Sequence, residues 1–282
     1  MNKVKERPFA QVDVFTGRAC FGNGLAVVLD GSGLSTEAMQ RFTDWTQLSE
    51  ATFLLPPTQP GADYRVRIFC PGRELPFAGH PTLGSCHAWL EAGGQPKQAG
   101  CVVQECGVGL VRLRRDGARL AFAAPPLRRG GALPEERIVE LARALRVDRG
   151  DVVAGAHCDN GPGWQSLLLK SAEQVLALDP DRLALVGQEV GVVGPHAPGG
   201  EFAFEVRAFF PGANGTAEDP VTGSLNAALA QWLISAGLAP ARYVARQGTA
   251  LGRDGRVFVE RLGDDIWIGG ESVTCIRGNV EL

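Results

Sequence analysis

Pro81-Thr82-Leu83-Gly84-Ser85-Cys86-His87-Ala88-Trp89-Leu90 contains no Asp, Glu, Lys or Arg, and neither does the longer run Pro220 to Ala236, 17 residues by 236 − 220 + 1. A helix on a surface carries a polar stripe for the face that meets water, and these runs have none. Each has Pro where the first helical turn tolerates it, followed by Gly, Ser, Ala, Leu and Trp. Both are read as helices buried on nearly all sides, and each demands a sheet around it.

The residues leading into these runs repeat. Val66-Arg67-Ile68-Phe69-Cys70-Pro71-Gly72 matches Val206-Arg207-Ala208-Phe209-Phe210-Pro211-Gly212 at Val, Arg, Phe, Pro and Gly, with an offset of 140 (207 − 67). After a slip of one residue, His80-Pro81-Thr82-Leu83-Gly84-Ser85 matches Asp219-Pro220-Val221-Thr222-Gly223-Ser224 at Pro, Gly and Ser. Strand, loop and buried helix recur in order, the mark of an internal repeat. The chain is therefore read as two pseudo-equivalent halves, residues 1–126 and 127–282, with the last strand free to return to the first half.

Composition agrees with two ordinary cores. The chain has 282 residues, 45% hydrophobic and 21% charged, with 28 Lys and Arg against 31 Asp and Glu for a net charge of −3. This is globular composition at about two domains' length. Without a basic run there is no footprint for a phosphate backbone, so no nucleic-acid partner is expected. Met1 to Ala10 carries Lys3, Lys5, Glu6 and Arg7 with no apolar stretch after it, which fails as a secretory signal. No uncharged apolar run reaches the ~18 residues that a membrane span needs. The expectation is a cytoplasmic protein with no membrane partner. Cys20, Cys70, Cys86, Cys101, Cys106, Cys158 and Cys275 form an odd, scattered set, read as reduced thiols; no C-x-x-C spacing suggests zinc.

Strand-like runs cover Gln11 to Phe15, Leu25 to Leu29, Ala51 to Leu55, Tyr64 to Phe69 and Gly109 to Arg114. Ser35 is read as the cap of a helix from Thr36 to about Trp45. Pro134 opens another, with Ile138, Leu141, Ala142 and Leu145 on one face. Asp116-Gly117 and Asp254-Gly255 are expected as hairpin turns, so that strands consecutive in sequence pair antiparallel.

If the halves face each other about a pseudo-twofold axis, the two buried helices aim their N-termini at one cleft. Backbone N–H groups at Thr82, Leu83 and Gly84 and at Val221, Thr222 and Gly223, with the hydroxyls of Ser85 and Ser224 nearby, would then favour a small anionic carboxylate. The repeat sets a different ionisable residue at each helix head, His80 and Asp219. Asp219 alone reads equally as an N-cap, and His80 as a structural histidine. His87, His157 and His196 are assigned no role.

Asp13-Val14-Phe15-Thr16, Gly22-Asn23, Ser49-Glu50-Ala51-Thr52-Phe53, Arg67-Ile68-Phe69, the run from Glu74 through Gly79-His80-Pro81 to Gly84, Glu218-Asp219-Pro220-Val221-Thr222-Gly223-Ser224 and Gln247-Gly248 together resemble the PhzF-like phenazine-biosynthesis isomerase family. The resemblance spans nearly the whole chain. It implies the diaminopimelate epimerase fold, an α+β arrangement of two pseudo-symmetric rolls, each a curved, mainly antiparallel sheet around a central helix, with the active site in the cleft between them. It implies Glu50 as catalytic acid/base, His80 and Asp219 beside it, and Asn23 with the backbone at Gly79, Gly223 and Ser224 as substrate-binding elements. It also implies a homodimer and an isomerase or epimerase that needs neither cofactor nor metal and moves a proton on a small cyclic or amino carboxylate. A single carboxylate suits that task, because it can take a proton from carbon and return it elsewhere on the same face. The sequence departs from the family pattern at Gly24, where Pro is usual, at Cys70, where Thr is usual, and at Gln47, where Asn is common.

Two rival readings stand beside this one. A two-thiol racemase would need a Cys at each helix head, where this chain has His80 and Asp219; Cys86 lies six residues further in and reads as a small hydrophobe. A non-catalytic small-molecule or partner-binding protein on the same scaffold is the other, since fold does not fix function. No G-x-G-x-x-G, G-x-S-x-G or H-E-x-x-H occurs, which removes the commonest dinucleotide, hydrolase and zinc signatures.

Overall fold

The computed structural model describes residues 5–212 and 215–282; Lys3, counted above among the N-terminal charges, lies outside them. The chain forms two units. One runs to Ala123 and resumes at Gly269–Leu282, and the other is Ala124–Ile268. The division falls at 123/124, against 126/127 in the sequence reading. Ala124 and Pro125 are already tied into the second unit, the first by donating to the Ile266 carbonyl at 2.7 Å and the second by accepting from Gln231 at 2.8 Å.

In the first unit, β1 (Glu6–Val14) pairs antiparallel with β2 (Asn23–Val28) and with β17 (Ser272–Glu281), the strand that brings the chain back. Helix α1 (Thr36–Thr46) then carries the chain over to β3 (Glu50–Leu55), which lies parallel to β2. Strand β4 (Tyr64–Cys70) runs antiparallel to β3 and to the short β5 (Arg73–Leu75). After helix α2 (Gly79–Glu91), β6 (Cys101–Cys106) lies parallel to β4 and continues through antiparallel β7 (Gly109–Asp116) and β8 (Arg119–Ala123).

The second unit opens with α3 (Glu135–Ala144) and then follows the same order of partners. Strands β9 (Val152–His157) and β10 (Gln165–Leu169) are antiparallel, and helix α4 (Ala172–Leu176) leads to β11 (Val190–Pro195), parallel to β10. Strand β12 (Phe204–Gly212) is antiparallel to β11 and to β13 (Gly215–Asp219). Helix α5 (Gly223–Ser235) crosses to β14 (Arg242–Gln247), parallel to β12, and β15 (Gly255–Leu262) pairs antiparallel with β14 before β16 (Asp265–Gly270). This is an α+β fold of mixed sheet and few helices. The expectation that consecutive strands pair antiparallel holds across tight turns and fails wherever a helix intervenes, since only a crossover can return a chain parallel to itself.

Other expectations shift by a few residues. Ser35 caps α1 as read, its hydroxyl accepting from the Ala38 N–H at 3.2 Å. The buried helices begin at Gly79 and Gly223, not at Pro81 and Pro220. Asp116-Gly117 does turn β7 into β8, with Gly117 at φ 60°. Asp254-Gly255 does not make a turn: Gly255 already pairs with Gln247, and the reversal is made by Gly248 and Gly252 at φ 93° and 71°. Gln47 ends α1 in the left-handed region at φ 57°, a conformation Asn adopts more readily than Gln. That gives the departure at this position a structural meaning. Among the described residues no helix is long and apolar enough to cross a membrane.

Helix α2 is enclosed by β1, β2, β3, β6, β8 and β17. Its closest approach is at Gly84, where an added Cβ would lie 2.6 Å from Leu25 Cδ2 and 2.8 Å from Val14 Cγ2. The repeat is visible in a pair of ion pairs. Arg67 grips Glu74 through Nε and Nη2 at 2.7 and 2.6 Å across β4 and β5, and Arg207 grips Glu218 the same way at 2.8 and 2.8 Å across β12 and β13. Their burial differs, with side-chain exposures of 19% and 39% for the first pair and 7% and 3% for the second. Arg207 also donates to the Val175 and Leu178 carbonyls at the end of α4.

Two stability measurements follow from this packing. Gly84→Ala should lower the denaturant midpoint by an overpacking cost of about 1–3 kcal/mol, and an unchanged midpoint would mean that α2 is not held against β1 and β2. Glu218→Ala strands a buried guanidinium and should cost about 3–5 kcal/mol, whereas Glu74→Ala, breaking a pair open to solvent, should cost no more than ~1 kcal/mol. Equal costs would contradict the difference in burial.

Candidate functional site

In the first unit the chemistry gathers at the start of α2. Gly79 and His80 hold the first two helical positions and Pro81 the third, where its missing N–H costs nothing because a first-turn N–H has no partner within the helix. Thr82 is the first to bond back, to the Ala78 carbonyl at 3.1 Å. The N–H groups of this helix left outside the ladder are therefore those of Gly79 and His80, and not those of Thr82, Leu83 and Gly84 as the sequence reading had it.

Glu50 is the first residue of β3, and alternation puts it on the same face as Thr52, which accepts a 2.8 Å hydrogen bond from Ser85 of α2. This face is the one turned to the helix. Glu50 Oε2 lies 3.1 Å from His80 Nδ1, with side-chain exposures of 18% and 4%. Among the described residues Glu50 Oε2 and His80 Nε2 are both buried without a hydrogen-bond partner. Two unsatisfied polar atoms on adjacent side chains are costly unless something else meets them. Cys70 ends β4, and burial, reinforced by the Glu50 charge, pushes its thiol up.

Asn23 opens β2, buried, opposite Val14. Just before it, the Gly22 N–H donates to Asp13 Oδ2 at 2.9 Å. Asp13 is itself buried, with Oδ1 unpartnered.

In the second unit Asp219 ends β13 and does not cap α5; Thr222 holds the N-cap position. The Thr222 hydroxyl donates to Asp219 Oδ2 at 2.6 Å, and Gln247 Nε2 donates to the Asp219 carbonyl at 3.0 Å and to Thr222 Oγ1 at 2.9 Å. Gln247 Oε1 in turn accepts from the Thr222 N–H and from Asn226 Nδ2. With Asn226 the first residue to bond back into the helix, the N–H groups left outside the ladder are those of Gly223, Ser224 and Leu225. This corrects the expected set of Val221, Thr222 and Gly223 in all but Gly223. Ser224 is held from the β9–β10 connection, its hydroxyl accepting from Trp164 Nε1 at 3.0 Å and its carbonyl from Asn160 Nδ2 at 2.8 Å. Neither Trp164 nor Asn160 was legible beforehand, since both sit in a Gly-rich loop with no periodicity.

Of the expected site residues, Glu50, His80, Asn23 and Gly79 thus belong to the first unit and Asp219, Gly223 and Ser224 to the second. Among the described residues no three His, Cys, Asp or Glu side chains form a metal-binding group.

Glu50 and His80 thus stand in contact at the start of a buried helix, and among the described residues each keeps one buried polar atom without a hydrogen-bond partner. The chain belongs to the phenazine biosynthesis-like family, whose model matches residues 12–278. It is 36% identical to antisense-enhancing sequence 1 of Schizosaccharomyces pombe, covering 98% of this chain and 99% of that one. It is 33% identical to the trans-2,3-dihydro-3-hydroxyanthranilate isomerase of Pseudomonas aeruginosa, covering 95% and 94%. The crystal structure of a Bacillus anthracis phenazine biosynthesis protein of the PhzF family superposes with a TM-score of 0.82 at 21% identity, covering 99% of this chain and 100% of that one, which shows the shared fold. Membership places the chain among isomerases.

The thiol chemistry of the rival racemase reading can be probed directly. Burial pushes Cys86 up to about 12, so near pH 8 its thiolate fraction is only about 10⁻⁴. Native protein treated with iodoacetamide should carry no label at Cys86 by peptide mapping while exposed Cys20 is labelled; rapid labelling of Cys86 would reopen a thiol mechanism.

Proposed function

We propose that this protein is an isomerase that moves a proton between carbons of a small cyclic or amino carboxylate, with Glu50 as the acid/base and no cofactor. The observation that carries this reading is the 3.1 Å approach of Glu50 Oε2 to His80 Nδ1, with Glu50 Oε2 and His80 Nε2 both left unpartnered. A structural pair would satisfy its own hydrogen bonds. A pair that works on a third group keeps atoms in reserve for it.

Glu50 takes the proton from an acidic C–H of the substrate and returns it to another carbon on the same face. His80 stays beside the carboxylate, orients it, and presents Nε2 to a polar substituent of the substrate. Asp219, fixed by Thr222 and Gln247, takes an amino or hydroxyl group. The N–H groups of Gly223 and Ser224 receive the substrate carboxylate, which the positive end of α5 favours. Asn23 and Gly79 complete the binding set. The two units are read as pseudo-symmetric rolls, a reading supported by their common order of strand partners and by the paired Arg67–Glu74 and Arg207–Glu218 forks.

The test takes trans-2,3-dihydro-3-hydroxyanthranilate, the compound in the name of the Pseudomonas relative, together with a panel of small cyclic amino acids, incubated with enzyme in D₂O and followed by NMR and mass spectrometry. Glu50→Gln keeps shape and hydrogen-bonding reach but is no base. It should bind substrate with KM nearly unchanged and lose kcat by ~10²- to 10⁴-fold, about 3 to 5 kcal/mol of barrier. Asp219→Asn should act mainly on KM. Deuterium exchange that survives in Glu50→Gln would move the proton chemistry to another residue.

A further inference from the structure

The connection between β9 and β10 grips one residue of α5 twice. Trp164 Nε1 donates to Ser224 Oγ at 3.0 Å, and Asn160 Nδ2 donates to the Ser224 carbonyl at 2.8 Å. Both contacts lie within the second unit. From Val221 to Ala230 Ser224 alone is partly exposed, so within that run the buried helix opens to solvent at this residue.

The connection is built to keep its shape. Asp159 Oδ1 accepts from the N–H groups of Gly161 and Gly163 at 2.7 and 3.0 Å, and the Asp159 carbonyl accepts from those of Arg128 and Arg129 at 2.7 and 3.1 Å. The Cys158 N–H closes the loop onto the Trp164 carbonyl at 2.8 Å. In the order of partners that the two units share, β9 and β10 stand where β1 and β2 stand. The loop carrying Asn160 and Trp164 is thus the counterpart of the one that ends at Asn23.

The direction of each bond is fixed by chemistry. An indole N–H can only donate, and a hydroxyl has one proton to give and two lone pairs to fill. With buried Trp164 occupying one lone pair, the Ser224 proton points away from the indole. Among the described residues that proton meets no acceptor. A buried Trp needs a partner for its N–H wherever it packs, but packing asks nothing of the Ser224 main chain, which the same loop also holds.

We propose that Trp164 and Asn160 are positioning residues for the substrate's carboxylate and act through Ser224, an inference that rests on the reading of Ser224 as part of the carboxylate site. Trp164 turns the Ser224 hydroxyl proton toward a carboxylate oxygen. Asn160 fixes the peptide that follows Ser224, so that hydroxyl and backbone N–H are held for one anion.

The experiment titrates the full-length protein by calorimetry with anthranilate and with aniline, which lacks the carboxylate. Wild-type protein should prefer anthranilate. Trp164→Phe, which keeps a ring but has no donor, should weaken anthranilate roughly tenfold, the scale of one hydrogen bond to a charged group, and leave aniline unchanged. Ser224→Ala should do the same, and the double variant should be no worse than Ser224→Ala, because Trp164 then has nothing to act on. Asn160→Ala, which leaves the Trp164 packing intact, should weaken anthranilate in the same selective way; circular dichroism and melting confirm that each variant folds. Equal losses for anthranilate and aniline, or losses that add in the double variant, would reduce Trp164 to packing and overturn the inference. A wild-type preference that survives Trp164→Phe would sink this inference alone. No preference in the wild-type protein would take the carboxylate away from Ser224 and sink both, while deuterium exchange in D₂O reads the Glu50 chemistry separately.

Discussion

The structure rests on burying helices that have no polar face. Helix α2 has a charged residue only at its last position, Glu91, and α5 has none. Left in water, each large apolar side chain on such a helix would forfeit ~1.5 to 3 kcal/mol. The arrangement that removes them from water is a sheet that bends around them, and α2 accordingly packs against β1, β2, β3, β6, β8 and β17, with Tyr64 of β4 stacked on Trp89. Gly84 is the local expression of that demand, since a side chain there would occupy the space of Leu25 and Val14. In α5 the run Leu225 to Ala230 is buried without interruption.

That constraint also creates the chemistry. A helix buried along its length must begin somewhere, and its first-turn N–H groups and the residues just before it face a region lined by polar groups that the core excludes. In the first unit this brings His80 against Glu50; in the second it sets Asp219, Thr222, Asn226 and Gln247 into one hydrogen-bonded network. The networks differ in kind. Around Thr222 nearly every donor and acceptor has a partner, as suits a group that must hold still. Around Glu50 and His80, among the described residues, two buried atoms have none.

The two copies of the repeat have diverged in their side chains. The Arg–Glu forks keep the same geometry, but one is open to solvent and the other sealed, with Arg207 spending its remaining donors on the end of α4. The ladders carry a sign-reversed pair, Arg65 opposite Glu105 in one unit and Glu205 opposite Arg246 in the other. Backbone pairing is conserved between the halves where side-chain chemistry is not, because ladders depend on main-chain groups that every residue supplies.

The sequence by itself determined that there are two buried helices, that each follows a strand and a loop of one repeated pattern, and that a family motif runs through Glu50, His80 and Asp219. Those are local properties: the absence of charge over a run, five identities over seven positions at a fixed offset, the spacing of a cap from its helix. It read the helix starts two residues late at Pro81 and three early at Pro220, because Pro is tolerated at several first-turn positions and does not say which one it holds. Only the tertiary structure decided that Asp219 accepts from the Thr222 hydroxyl and does not cap the helix, that β2 and β3 run parallel, and that Trp164 and Asn160 reach Ser224. It also set the distance, 3.1 Å, at which His80 Nδ1 meets Glu50 Oε2, residues 30 (80 − 50) apart in the chain. The reason is physical: propensity and patterning act within a few residues, whereas each of these contacts is set by how strands pair around a helix whose apolar surface must be covered, and no short window of sequence contains that.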